Sequence, residues 1–321
     1  MRAVTFAGTG GNEVVSLADR PDPVPASHEV VVAARYAGVN WADLAQREGN
    51  YPPPPGSPKD IPGLEVAGAV VATGNAVRAW RIGDRVFGIV GGGGLADRVA
   101  VHERHVTAIP DGLDDDAAAA VPEAYITAHD AVFSQGGLQF GEVLLVTGAN
   151  GAVGSAGVRL GLAAGARVVA SVRSLPSART LAEEGAIVVT AGQAAERLLA
   201  LGGADVVLEL VGAPYLDLDF AALAIKGRII IVGTGAGTDA AFSLRALMTR
   251  RATLRGTVLR ARPLEEKAAA VQAFARSVVP LLATGRALPI IDRVFPAEQA
   301  GSAFDHLAQP GKTGKILLEF S

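Results

Sequence analysis

The stretch Val143-Leu144-Leu145-Val146-Thr147-Gly148-Ala149-Asn150-Gly151-Ala152-Val153-Gly154 decides how this chain is read. Its first five residues form a continuous apolar and β-branched run, as in a strand buried on both faces. A glycine-rich turn follows at once. Beyond it Val158, Leu160 and Leu162 recur among small residues at helical spacing, and a second apolar run, 166–170, closes the unit. Strand, glycine turn, helix and strand in this order predict a mononucleotide-binding βαβ unit. A pyrophosphate must come close to the backbone, which excludes Cβ atoms from the turn. The free N–H groups of the helix N-terminus then face the anion. The spacing is G-x-x-G-x-x-G, so the commoner G-x-G-x-x-G is matched only in part. The expected cofactor contacts here are Gly148, Asn150, Gly151, Ala152, Val153 and Gly154. A tight turn without a ligand is the alternative.

Outward from this unit the chain has two characters. Downstream, apolar strands are expected at 187–189, 205–210, 228–233 and 253–258, with helices near 175–184, 193–201 and 214–225. Alternating strands and helices predict a doubly wound parallel sheet. Upstream, short strands and glycine turns over 64–101 suggest a small β-barrel or sandwich. The segment 49–56 carries four prolines and one aromatic, Tyr51, so it reads as a stiff surface loop. A long amphipathic helix is expected over 264–285, and β character returns at 290–291 and 315–320. An αβ domain over 123–263, inserted into a β-rich domain formed by 1–122 and 264–321, is the expected organisation.

Composition narrows the function. The net charge is −3 with no basic block, which gives no support to nucleic acid or a membrane surface as a partner. No apolar run approaches the roughly 18 residues of a membrane span, and no signal peptide is visible. There is no cysteine, which rules out disulfides, a thiol nucleophile and thiolate-bound metal. The five histidines show no HExxH spacing, so no metal site is expected, and a cytoplasmic location is.

Several segments together carry a family resemblance: 37–44 (AGVNWADL), 49–56, 62–68 (PGLEVAG), 83–87 (GDRVF), 148–155, 228–230, 232–233, 259–262 (LRAR) and 313–318 (TGKILL). Over nearly its whole length the chain resembles the zinc-independent quinone oxidoreductases, the zeta-crystallin-like branch of the medium-chain dehydrogenase/reductase superfamily. The resemblance implies a GroES-like β-barrel catalytic domain around an inserted Rossmann domain. It also implies NADPH-dependent reduction of quinones or other conjugated carbonyls. The zinc-dependent branch takes a Cys at the position of Asn40 and a His at the position of Leu64; neither residue here can bind zinc.

Without a metal, hydrogen bonds must polarise the substrate carbonyl. The resemblance places Asn40 and Tyr51 there as donors; a turn former and a loop aromatic are the alternatives. It also places Thr127 near the nicotinamide and adds Gly233 to the cofactor set. Arg260 and Arg262 either close over the site or are solvated charges. Cofactor preference is read after the second Rossmann strand, where an NAD enzyme tends to carry a carboxylate. This chain has Ser171-Val172-Arg173-Ser174 instead, so a 2′-phosphate and hence NADPH is expected, with Arg179 as the rival to Arg173. Two other functions fit the same residues: an NADPH-dependent enone or enal reductase, and a non-catalytic, crystallin-like dinucleotide binder. Family likeness further suggests a homodimer paired through the sheet edge at 253–258.

Overall fold

The computed structural model describes residues 1–320. They form two compact units, Thr127–Val258 and the remainder, Met1–Ile126 with the chain from Leu259 onward.

The first of these units is built on a six-stranded, wholly parallel sheet. From edge to edge its strands are Ile187–Thr190, Arg167–Val172, Val143–Val146, Ala204–Glu209, Leu223–Ile231 and Thr253–Gly256. Val143, Leu144, Leu145 and Val146 are all buried, as the two-sided cover of a central strand requires. The chain starts in the middle of the sheet, builds to one edge, then returns to build the other. The order therefore reverses between Val143–Val146 and Ala204–Glu209, and ligands of open α/β sheets bind beyond the carboxyl ends of strands at such a point. The glycine turn sits at this place and opens the helix Ala152–Ala163.

Several expected helices are shorter than their patterns. The segment 214–225 is helical only to Ala222, a 3₁₀ turn over Ala213–Tyr215 running into the α-helix Leu216–Ala222, because Leu223 already belongs to the next strand. The segment 264–285 divides into Leu264–Ser277 and Val279–Ala283. Pro280 lacks an N–H and cannot continue a helix through its own position, so it sits at the start of the second piece.

The other unit is mostly antiparallel. Five strands, Arg98–His102, Glu29–Ala33, Glu65–Thr73, Arg85–Ile89 and Val106–Ala108, make one sheet in that order. A second sheet joins the two ends of the chain. Lys315–Glu319 runs antiparallel to Tyr36–Val39 and parallel to Ile291–Pro296, with Leu317 opposite Gly38. Phe304, Phe6, Leu95 and Ile316 fill the core beneath it. This pairing brings Lys315 beside residues from the first fifth of the sequence. Among the described residues no helix is long and apolar enough to cross a membrane.

Candidate active site

Asn40 ends the strand Tyr36–Val39 and caps the helix Trp41–Arg47. Its backbone N–H donates to Asp43 Oδ2 at 2.8 Å, and Gly63 N donates to the other oxygen at 2.9 Å. Asp43 is fully buried, and burial pushes its carboxyl up to about 6 although these two N–H groups pull it down. The Asn40 side chain is held on three sides. Its Oδ1 accepts from Lys315 Nζ at 2.6 Å, while its Nδ2 donates to Glu65 Oε1 at 2.9 Å and to Gly38 O at 3.3 Å. Lys315 also forms an ion pair with Glu65, and both are 1% exposed. Gly38 is needed under this pair: a Cβ there would collide with Glu65 Oε1 and come within 2.5 Å of Lys315 Cε.

The carbonyl-polarising role expected of Asn40 thus meets a specific geometry. Both of its donor directions already have acceptors, and the bond to Gly38 O is the longer of the two. Tyr51 differs. It lies in the proline-rich loop, half-buried, and its hydroxyl makes no hydrogen bond among the described residues. Burial first, then the nearby Glu123, raise that hydroxyl above the ordinary tyrosine value.

Arg260 is a buried clamp and not a solvated charge. It is 6% exposed. Its Nε donates to Gly91 O at 2.8 Å, its Nη1 to Tyr51 O at 2.9 Å and its Nη2 to Gln46 Oε1. The guanidinium lies 4.9 Å from the Tyr51 ring centroid, so it fixes both backbone and ring of the loop. Arg262 is partly buried.

On the Rossmann unit, the residues present fit a dinucleotide. The helix Ala152–Ala163 starts at Gly151 with no side chain capping it, so its first N–H groups remain available to an anion. A Cβ on Gly154 would strike Gly148 O and lie 2.7 Å from Ala149 Cα, so the turn can fold this tightly only around glycine. Three buried polar atoms of this unit have no protein partner: Asn150 Oδ1, Ser171 Oγ and Thr127 Oγ1. Groups of this kind are costly unless something binds them. Gly233 packs against Leu210 O, with no room for a side chain. Arg173 and Ser174 are exposed and Arg173 has no ion-pair partner, whereas Arg179 pairs with Glu183 at 2.8 Å.

Sequence reasoning missed a buried acid pair in this unit. Glu209 ends the strand Ala204–Glu209, and its Oε1 accepts from the N–H groups of Val211 and Gly212, each at 2.6 Å. Glu209 and Asp219 are both fully buried. Glu209 Oε2 and both Asp219 oxygens find no N–H or O–H donor. Glu209 lies within hydrogen-bonding reach of Asp219, a contact between two carboxyls that requires one proton between them. Burial, then the Glu209 charge, push Asp219 up to about 9. The folded chain binds a proton here that the unfolded chain releases near pH 4. Stability contributed by this pair is therefore highest at acid pH and declines as pH rises toward 9. Asp219→Asn can donate N–H to Glu209 Oε2 without a proton. It should match wild type near pH 4 and exceed it by about 1–3 kcal/mol at pH 8. Denaturant titrations at both pH values would check this, and an equal or lower midpoint for the variant at pH 8 would refute the shared proton.

The pattern that could have exposed these groups is a charge inside an apolar run. Glu65 stands in GLEVAG, Glu209 in VVLEL and Lys315 in GKILL. Among the described residues, no group of three or more His, Asp or Glu side chains is arranged to hold a metal ion.

Fold and site together define a dehydrogenase of the medium-chain type. Residues 26–111 match the alcohol dehydrogenase GroES-like domain and residues 152–276 the domain described as zinc-binding dehydrogenase. The quinone oxidoreductase of Lama guanicoe is 31% identical over 99% of this chain and 97% of its own. Quinone oxidoreductase-like protein 2 of Bos taurus is 32% identical over 93% of this chain and 86% of its own. Among solved structures, a quinone oxidoreductase of Pseudomonas syringae superposes with a TM-score of 0.86 at 25% identity, covering 99% of both chains. A mycobacterial protein solved with NADPH gives 0.88 at 25% identity, covering 99% of this chain and 100% of that one. The chain belongs to the quinone oxidoreductase family of the medium-chain dehydrogenase/reductase superfamily.

Proposed function

We propose that this protein reduces quinones, or closely related conjugated carbonyls, with NADPH and without a metal. The observation that carries the reading is the Lys315–Asn40–Glu65 assembly. By the family resemblance Asn40 takes the position of the zinc-dependent branch's cysteine, and a buried ammonium and carboxylate orient its amide. Bound NADPH would supply hydride to the substrate. The chain's own task is to hold the substrate carbonyl and offset the charge that develops on its oxygen. Tyr51 supports this with a free hydroxyl on a loop that Arg260 keeps in place. Asn40 supports it through its longer bond: a substrate oxygen would take the N–H now given to Gly38 O. The Lys315 ammonium on Oδ1 polarises the amide and strengthens that donor. On the Rossmann unit, the open helix N-terminus and the glycine turn would hold the pyrophosphate, and Thr127 Oγ1 and Ser171 Oγ would find partners.

The test is NADPH oxidation over a panel of quinones, enones and enals, with and without chelator. Quinones should turn over fastest, and chelator should leave the rate unchanged. Faster turnover of enones or enals would move the reading to that reductase class. NADPH binding with no turnover would leave a dinucleotide-binding protein. Stoichiometric zinc lost together with activity would overturn the metal-free reading.

The same proposal includes a homodimer. The edge strand Thr253–Gly256 has a free side, and Leu244 and Met248, one helical turn apart on the neighbouring helix, are 67% and 74% exposed. Pairing that edge across a two-fold axis would cover both. A monomer by light scattering at micromolar concentration would count against it.

A further inference from the structure

We propose that Glu123 is the acid that protonates the reduced substrate, giving its carboxyl proton to the oxygen left negative by hydride transfer. The proposal rests on the reading of the chain as a quinone reductase.

The geometry starts at the helix Pro122–His129. The Glu123 N–H donates to Glu65 Oε2 at 2.9 Å. The other oxygen of that carboxylate, Oε1, takes Asn40 Nδ2 and Lys315 Nζ. One buried carboxylate thus ties the first turn of this helix to the amide that faces the substrate in the proposed site. The Glu123 carboxyl itself makes no ion pair or hydrogen bond among the described residues, and the residue keeps part of its surface exposed.

The surrounding charges explain why this group holds a proton. Glu65 approaches from the strand Glu65–Thr73 and Asp43 from the helix Trp41–Arg47; both favour the neutral acid. Lys315 from the last strand and Arg260 from the segment before the helix Leu264–Ser277 oppose them. Lys267, on that helix, donates to Arg260 O at 2.9 Å and is itself influenced by Glu123. Tyr51 faces Glu123 from the proline-rich loop. Glu65 already occupies Lys315, and Arg260 spends its donors on three oxygens that carry no net charge. Neither cation is left to pair with Glu123. Desolvation first, then Glu65, raise its carboxyl to about 8. An acid that titrates near the working pH suits general acid catalysis. The common alternative for a glutamate in a first helical turn is an ionised surface group favoured by the helix dipole.

The step balances. Hydride forms the new bond at the quinone, the carbonyl electron pair moves onto oxygen, and the O–H bond of Glu123 breaks as the product O–H forms. The carboxylate then takes a proton from water. In sum, NADPH, quinone and one proton give NADP⁺ and hydroquinone.

The experiment compares wild type, Glu123→Gln and Glu123→Asp with NADPH and an ortho-quinone from about pH 6 to about pH 10, in H₂O and D₂O. Wild-type kcat should fall as pH rises through about 8 and show a solvent isotope effect. Glu123→Gln should lose roughly a hundredfold in kcat, with KM for the quinone within about threefold of wild type. Its pH profile should be flat in this range and its solvent isotope effect gone. Glu123→Asp should keep the profile at a reduced rate. Resting wild type should lose one protonated-carboxyl infrared band near pH 8 and a second, from the Glu209–Asp219 pair, near pH 9; only the first should be missing in Glu123→Gln, and this readout needs no turnover. Quinone reduction by Glu123→Gln with the wild-type rate and pH profile overturns the assignment and leaves the quinone reading intact. A wild type that shows the infrared titration but reduces no quinone overturns both, and identifies the quinone reading as the part that failed first.

Discussion

Lys315→Met should cost about 3–5 kcal/mol of stability, because it leaves the Glu65 carboxylate buried without its counter-charge. Both side chains are 1% exposed, so water cannot stand in for the ammonium. Asn40 Nδ2 and the Glu123 N–H would still donate to Glu65, but neither carries the charge. Methionine has nearly the length and volume of the lysine stem and can lie beneath Gly38, which separates loss of charge from loss of packing. Combining it with Glu65→Gln removes the uncompensated charge and should restore most of the loss. A double-mutant cycle from denaturant midpoints should therefore give a coupling of at least about 2 kcal/mol. Additive single effects would show that the pair contributes packing only. Activity should fall further than stability alone explains, since Asn40 Oδ1 would lose the bond that fixes and polarises the amide.

The interaction that dominates this prediction was the hardest to read in advance. Lys315 and Glu65 lie at opposite ends of the chain, and only the pairing of Lys315–Glu319 with Tyr36–Val39 brings them together. Sequence patterning sees neighbours on one strand or helix, not partners across a sheet closed by the chain termini. The Rossmann strands were legible for the opposite reason. Their signal is local: unbroken apolar runs such as 143–146 and 206–208, set among glycine turns and helical patterns. The glycine turn was legible because its steric demand falls on consecutive residues. Helix lengths were less so, since Leu223 and Pro280 end their helices through a strand partner and a missing N–H that periodicity does not weigh. Asn40 and Tyr51 could be named as site residues from resemblance. That the amide is held on three sides, and that Arg260 clamps the tyrosine loop, depends on contacts between distant segments.

NADPH should bind at least tenfold more tightly than NADH, and Arg173→Ala should erase most of that gap while hardly changing NADH affinity. Arg173 follows the strand Arg167–Val172 directly, where a bound adenosine ribose would carry its 2′-phosphate. Its side chain is exposed and has no partner of its own, so no existing ion pair has to break before it meets an anion. Arg179 lacks that freedom, because its Nε already donates to Glu183 Oε1 at 2.8 Å. No carboxylate occurs between Ala170 and Leu181, so nothing on this segment would repel the phosphate or chelate a ribose diol. Ser171 Oγ, buried and unpartnered, can add a neutral donor from the strand end, and Ser174 another from the surface. The loop is also tied to the glycine turn, since Asn150 Nδ2 donates to Ser177 Oγ at 2.5 Å and that hydroxyl donates to Ser174 O at 2.7 Å. Pyrophosphate and 2′-phosphate would thus be read by one connected segment. A charge-assisted bond from a guanidinium contributes roughly 1.5–3 kcal/mol, about ten- to a hundredfold in affinity. The contribution should shrink as salt rises, because the group is exposed. Titrating both cofactors into wild type, Arg173→Ala and Arg179→Ala at low and high salt separates the cases. A gap lost only in Arg179→Ala would move the phosphate one helical turn along the chain, at the expense of the Glu183 pair. Equal affinity for the two cofactors in wild type would refute the assignment, and with it the NADPH preference proposed for the enzyme.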